Sequence, residues 1–118
     1  MSRNVNLFGS FGYAIEGVKI ALKKEPNFRV HLAIAIVVLV VSSFLNLTSF
    51  EWFGLLITMA FVLTMELFNT AIEAIVDIVS PDFHEKAKIA KDVSAAAVLL
   101  SSIFAIAIGI VVLLPKIF

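Results

Sequence analysis

Glu66, Asn69, Glu73 and Asp77 follow one another at intervals of three, four and four residues, in and just beyond an otherwise apolar stretch. On a helix advancing about 100° per residue, that spacing places all four side chains on one narrow face. A carboxylate held in hydrocarbon costs roughly 2.5–3.5 kcal/mol even on lenient insertion scales. A stripe of this kind, followed by Lys91-Asp92, holds a cation or moves a proton. Glu66, the deepest member, is suited to act as a general base. Glu73 together with Glu25 could bind magnesium, an ion that takes a few carboxylates and fills its shell with phosphate oxygens. Lys91 with Asp92 suits contact with phosphate, the carboxylate orienting the ammonium. Each group also has a plain structural role open to it. Glu66 could pair across helices, Glu25 and Glu73 could be interfacial charges, and Asn69 and Thr70 could hydrogen-bond between helices. His31 and His84 read as interfacial polar residues, because no metal-type histidine spacing is present.

Composition decides where these residues work. The chain has 118 residues, 61% of them hydrophobic and 15% charged, against about 45–50% and about 25% in soluble domains. This is the profile of a single, all-α integral membrane domain spanning residues 1–118. A net charge of zero gives no basic field for nucleic acid. The absence of cysteine excludes disulfides, thiol catalysis and zinc-thiolate sites. The first twenty residues lack the pattern of a cleaved signal peptide, so the mature chain is expected to start near Met1. Gly9, Gly12 and Gly17 do not form a Walker motif, and protein-kinase signatures are absent.

The elements that position the stripe follow from periodicity. Phe8, Phe11, Ile15, Val18 and Leu22 recur at helical spacing within residues 5–24, with Glu16, Lys19 and Lys23 on other faces. This predicts an amphipathic helix lying on the membrane surface, ended by Pro26. Three transmembrane helices are expected at 30–47, 52–79 and 93–114. Asn46 to Ser49 forms the first turn, and Ser80 to His84 breaks the chain again with Pro81 opening the next helical segment. Trp52 takes an interfacial position, Ser94 to Ala97 with Ser101 and Ser102 favour close helix packing, and Pro115 stops the last span. All but Lys116 of the nine basic residues fall on one side of these spans. The positive-inside rule makes that side cytoplasmic, with the N-terminus inside and the C-terminus outside. Glu66 then lies roughly 8–10 Å below the cytoplasmic boundary, at 1.5 Å per residue, near the depth of a lipid hydroxyl.

Two readings stay open from the residues alone. One is an enzyme that phosphorylates a membrane-embedded hydroxyl, with its base in the bilayer and its cation site and lysine at the rim. The other is a small proton-coupled transporter using Glu66. A transporter needs the buried carboxylate but has no use for the stack of Glu73, Asp77, Glu25 and Lys91-Asp92.

Three motifs carry a resemblance to a known family. They are Glu25-Pro26-Asn27-Phe28-Arg29, the run from Glu66 to Glu73 with Asp77, and Ala90-Lys91-Asp92-Val93-Ser94-Ala95-Ala96-Ala97-Val98. Their order and spacing resemble the prokaryotic diacylglycerol kinase family over nearly the whole chain. Asn27, Glu51-Trp52 and Leu114-Pro115-Lys116 resemble its Gram-positive branch, mainly undecaprenol kinases. The resemblance implies a homotrimeric bundle in the bacterial inner membrane with active sites shared between subunits. It implies transfer of the γ-phosphate of ATP to a lipid hydroxyl, with Mg2+ as cofactor. By that resemblance Glu66 is the catalytic base and Asn69 supports it. Glu25 and Glu73 are the magnesium and ATP ligands. Tyr13, Asp82, Phe83, His84, Lys91 and Asp92 contact the nucleotide, while Asn27, Phe28, Arg29, Val30 and His31 line the lipid entry. Undecaprenol is the expected acceptor, with diacylglycerol as the alternative on the same fold and site.

Overall fold

The computed structural model describes Arg3 and residues 6–118. The described chain is helical: α1 (Leu7–Lys24), α2 (Pro26–Ser43), α3 (Ser49–Val79) and α4 (Glu85–Ile117). Three of these, α2, α3 and α4, are long and apolar enough to cross a membrane. The first residue of the surface helix expected at 5–24 lies outside the described residues.

The corner between α1 and α2 is tighter than the periodicity predicts. Asn6 caps α1 by accepting from the Gly9 N–H at 2.9 Å. At its other end Glu25 turns to an extended backbone, while its N–H still reaches the Ala21 carbonyl. Pro26 cannot continue α1, but its fixed φ and missing N–H suit the first turn of a new helix. Helix α2 therefore begins at Pro26 rather than Val30, and it ends at Ser43 rather than Leu47. Arg29 turns back across the corner, donating to the carbonyls of Leu22 at 2.8 Å and Lys23 at 3.0 Å. These are terminal carbonyls of α1 that would otherwise lack partners. The corner holds Glu25 at the end of the bundle where α3 leaves its last turns.

Helix α3 begins at Ser49 instead of Trp52 because Thr48 and Glu51 form a capping box. The Glu51 N–H donates to the Thr48 hydroxyl at 3.2 Å and the Thr48 N–H donates to the Glu51 carboxylate at 2.8 Å. With 31 residues, α3 is about 46 Å long at 1.5 Å per residue, more than the roughly 30 Å of hydrocarbon it has to cross. Its last turns therefore reach beyond the apolar layer. Pro81 does not open the next helix. His84 does, its Nδ1 accepting from the Lys86 N–H at 3.1 Å, and α4 starts at Glu85. Nor does Pro115 stop α4, which runs to Ile117. In a last turn, proline removes only one backbone bond.

Helices α3 and α4 form the main packed pair, antiparallel, with α2 laid on α3. Lys116 near the end of α4 reaches Glu51 at 3.4 Å and the Asn46 carbonyl at 2.9 Å. At the opposite end Lys91 reaches Asp77 at 2.6 Å. The buried Ser42 hydroxyl of α2 has no partner, but other hydroxyls inside the spans are satisfied locally: Ser101 and Ser102 both donate to the Val98 carbonyl, and Thr58 donates to the Gly54 carbonyl. Such bonds let polar side chains sit where water cannot serve them. The buried apolar core is thin, consisting of Ala21, Phe28, Ala35, Leu55, Val62 and Val98 among the described residues.

If the capping box fixes where α3 starts, Thr48→Ala will destabilise the protein by about 1 kcal/mol. Thr48→Ser should retain most of that stability. Reversible unfolding in mixed micelles measures both, and equal stability of Thr48→Ala and wild type would contradict the capping role.

Candidate functional site

The stripe on α3 resolves into three different partnerships. Glu66 is buried, 2% exposed. Its Oε1 has no hydrogen-bond partner, although His31 Nε2 of α2 stands 3.3 Å away. The imidazole is close without being aligned to form the bond. One turn on, the Asn69 amide faces Glu73 at 3.5 Å, and its Oδ1 accepts from the Ser94 hydroxyl of α4 at 2.7 Å. That hydroxyl also lies 2.9 Å from the Lys91 carbonyl. Thr70 donates to the Glu66 carbonyl at 3.0 Å. Asp77, last in the stripe, accepts from Lys91 Nζ.

The corner brings a further carboxylate to the same place. The ionisable groups that act on Glu66 are His31, Glu25 and Glu73. Glu25 comes from the α1–α2 junction and Glu73 from two turns along α3, and both are half-buried. Among the described residues no three His, Asp or Glu side chains gather closely enough to hold a metal by themselves. Two carboxylates fit the donor set of magnesium, which leaves the rest of its octahedron to water and phosphate oxygens.

Other residues singled out from the sequence are placed less centrally. Asp92 is exposed and pairs with Lys88 on its own helix. The carboxylate that orients Lys91 is therefore Asp77 across the helix pair, and not its neighbour Asp92. Adjacent residues 91 and 92 project about 100° apart around α4. Tyr13 is exposed on α1, with the Arg3 guanidinium 4.3 Å from its ring centre. Asp82 and Phe83 are exposed in the α3–α4 loop, and His84 serves as the cap of α4. Of Asn27 to His31, Phe28 is buried, Asn27 and Val30 are exposed, and Arg29 caps α1.

His31 alone of that run lines the cavity between α2, α3 and α4. An apolar groove of about 210 Å³ runs between α2, α3 and α4 from His31 past Ala35, Val62 and Ala105 to Gly109. Its polar groups besides His31 are Thr58 and Ser102, whose hydroxyl protons are already given to carbonyls of their own helices. Sequence reasoning took Ser94 only as a small packing residue and did not pair Asp77 with Lys91. The one signal for Ser94 was its place one turn after Lys91.

Residues 12–113 match the prokaryotic diacylglycerol kinase family. The chain belongs to that family of lipid kinases. A relative named diacylglycerol kinase from Synechocystis sp. is 43% identical over 111 residues, covering 93% of this chain and 63% of that protein. The undecaprenol kinase of Bacillus subtilis is 36% identical over 109 residues, covering 92% of this chain and 89% of its own length. A diacylglycerol kinase of Helicobacter pylori strain 26695 is 39% identical over 99 residues, covering 83% and 77%. The chain thus spans a little under two thirds of the Synechocystis protein and most of the other two. Membership of the family accords with three helices long and apolar enough to cross a membrane.

The Asn69–Ser94 bond supplies a test of the geometry that needs no activity. Asn69→Ala and Ser94→Ala should each destabilise, with a coupling of about 1 kcal/mol in a double-mutant cycle. Strictly additive losses would show that the two side chains do not meet.

Proposed function

We propose that the protein transfers the γ-phosphate of ATP to the hydroxyl of undecaprenol, giving undecaprenyl phosphate. The observation that carries this reading is the free oxygen of buried Glu66, 3.3 Å from the histidine that heads an apolar groove. A lipid alcohol whose tail lies along the groove presents its hydroxyl beside that oxygen. Glu66 accepts the hydroxyl proton as the alcohol attacks the γ-phosphorus. Lys91, held by Asp77, meets the phosphates at the rim. Asn69 is fixed by Ser94 and keeps Glu73 directed toward the nucleotide. Glu25 and Glu73 would hold magnesium, which would supply charge neutralisation on the phosphates, a large part of what phosphoryl transfer asks of its site. Tyr13, Asp82 to His84 and Asp92 are then nucleotide contacts, all of them exposed and free to turn toward it.

The choice of undecaprenol over diacylglycerol rests on hydrogen-bond accounting. Two ester carbonyls drawn into the groove would need donors, and an unsatisfied one costs roughly 1–3 kcal/mol. Thr58 and Ser102 have already committed theirs. A polyprenol brings no carbonyl and meets no such cost. The relative named undecaprenol kinase, of which this chain covers 89%, agrees with that choice. Those named diacylglycerol kinase keep the alternative open. The family match removes the ground for a proton-coupled transporter.

The same reading includes a homotrimer with shared sites. Exposed apolar side chains run along every span, for example Ile34, Val37, Phe61, Phe68, Leu99 and Phe104, so the single chain leaves ample surface for other subunits as well as lipid. On α1, Phe8, Phe11 and Ile15 are exposed, which suits a helix lying in the interface. The protein belongs in the cytoplasmic membrane with the Glu25–Lys91 end inside and the Lys116 end outside.

Both alcohols in one micelle with labelled ATP test the proposal. Undecaprenol should be phosphorylated with the higher kcat/KM, and chelation of magnesium should stop both reactions. Equal or greater flux into phosphatidic acid would leave the diacylglycerol kinase reading. No labelled lipid from either alcohol would overturn the kinase reading altogether.

A further inference from the structure

A base that takes a proton in every cycle has to lose it before the next, and Glu66 is almost wholly enclosed. Its side chain is 2% exposed. The atom best placed to receive that proton is His31 Nε2, 3.3 Å from the orphan Oε1. The imidazole belongs to both environments, being 25% exposed as a side chain while also heading the groove. The other charges that reach Glu66 are carboxylates, Glu25 from the α1–α2 corner and Glu73 from α3 itself. Helix α4 adds no charged group to that set; its Lys91 is engaged by Asp77. Toward the groove α3 and α4 present His31 with apolar side chains and the hydroxyls of Thr58 and Ser102. Among the described residues, the other titratable side chains that act on Glu66 are Glu25 and Glu73, which the reading above assigns to magnesium.

We propose that His31 is a positioning residue that relays the proton of Glu66 to the rim. Resting on the lipid kinase reading above, the sequence of bonds is as follows. The lipid O–H breaks, its proton passing to Glu66 Oε1 while the oxygen's electron pair forms the new bond to the γ-phosphorus. The bridging P–O bond breaks, and its electron pair leaves on ADP. The Glu66 carboxyl then gives its proton to the lone pair of neutral His31 at Nε2. The imidazolium releases a proton from Nδ1 to water at the headgroup layer, leaving the Nε2–H tautomer, and exchange of the ring proton from Nε2 to Nδ1 through water restores both side chains. His31 does not touch the phosphate in this scheme. It acts through Glu66, and the missing hydrogen bond between them means that none has to be broken before a substrate hydroxyl enters.

A mere counter-charge to Glu66 would serve stability, so the test separates proton transfer from structure. Undecaprenol phosphorylation by His31→Ala and His31→Gln is compared with wild type, each variant first checked for native assembly and unfolding. Both variants should lose about 10²-fold in kcat, the ordinary scale of a proton-transfer contribution, with little change in KM for ATP. Added imidazole should restore His31→Ala at least about tenfold, increasingly as pH rises through the imidazole titration near ~6.5. It should not restore His31→Gln, whose side chain fills the space. Wild-type kcat in His31→Gln overturns the proposal, as does an assembled His31→Ala that ignores imidazole. If His31→Ala fails to assemble, the kcat of His31→Gln decides alone. Failure of the wild type to phosphorylate any lipid alcohol counts against the kinase reading instead.

Discussion

The burial of Glu66 is the constraint on which the rest of the arrangement depends. A carboxylate taken out of water needs either partners or a task, and here one of its oxygens has no bond at all. The surrounding helices are arranged to keep it there. Helix α2 contributes the imidazole at 3.3 Å, and α4 contributes Ser94 to Asn69 and Lys91 to Asp77, the second and last members of the stripe. Their bonds fix the rotation of α3 against α4, so the carboxylate cannot swing out of the bundle without breaking contacts on either side. At the far end Lys116, tied to Glu51 and Asn46, holds the same pair in register. One long, well-capped helix thus carries polar groups in a graded series, from buried Glu66 to exposed Asp77.

That grading matches the problem a lipid kinase has to solve. Its two substrates do not share a solvent, because a nucleotide is confined to water and a lipid alcohol to the bilayer. A single helix face crossing the boundary lets one end meet phosphates while the other meets the hydroxyl. The thin core of the single chain fits the same scheme. With few side chains buried by its own fold, much of the apolar surface is left for lipid and, in the proposed trimer, for neighbouring subunits. Packing in lipid gains little from apolar burial as such and relies on close contact and interhelical hydrogen bonds. The Asn69–Ser94 and Asp77–Lys91 pairs are bonds of that kind.

Much of this was legible in the residues, and what was not has physical reasons. The apolar runs and the breaks around residues 44–48 and 80–84 gave the order of helices, and the 3-4-4 spacing gave the common face of Glu66, Asn69, Glu73 and Asp77. Helix ends were read less well, because caps decide them. Pro26 predicts the end of one helix and in fact also opens the next, the Thr48–Glu51 capping box starts α3 ahead of its apolar run, and Pro115 predicts a stop that a last turn does not need. Partnerships across helices were read least well. Adjacent charges such as Lys91 and Asp92 suggest a pair on paper, but neighbours on a helix project about 100° apart, so each found another partner. His31 looked like an ordinary interfacial residue because its distance to Glu66 depends on how α2 rotates against α3, which no local pattern records.

The central claim is that the Glu66 carboxylate accepts the proton of a lipid hydroxyl, and the phosphorylation rate of Glu66→Gln tests it most directly. Glutamine keeps the volume and removes the charge, so assembly and KM for ATP should stay close to wild type. The turnover of lipid alcohol should fall by at least about 10²-fold, the lower end of what a positioned base contributes. An assembled Glu66→Gln protein that phosphorylates undecaprenol at the wild-type rate would contradict the account.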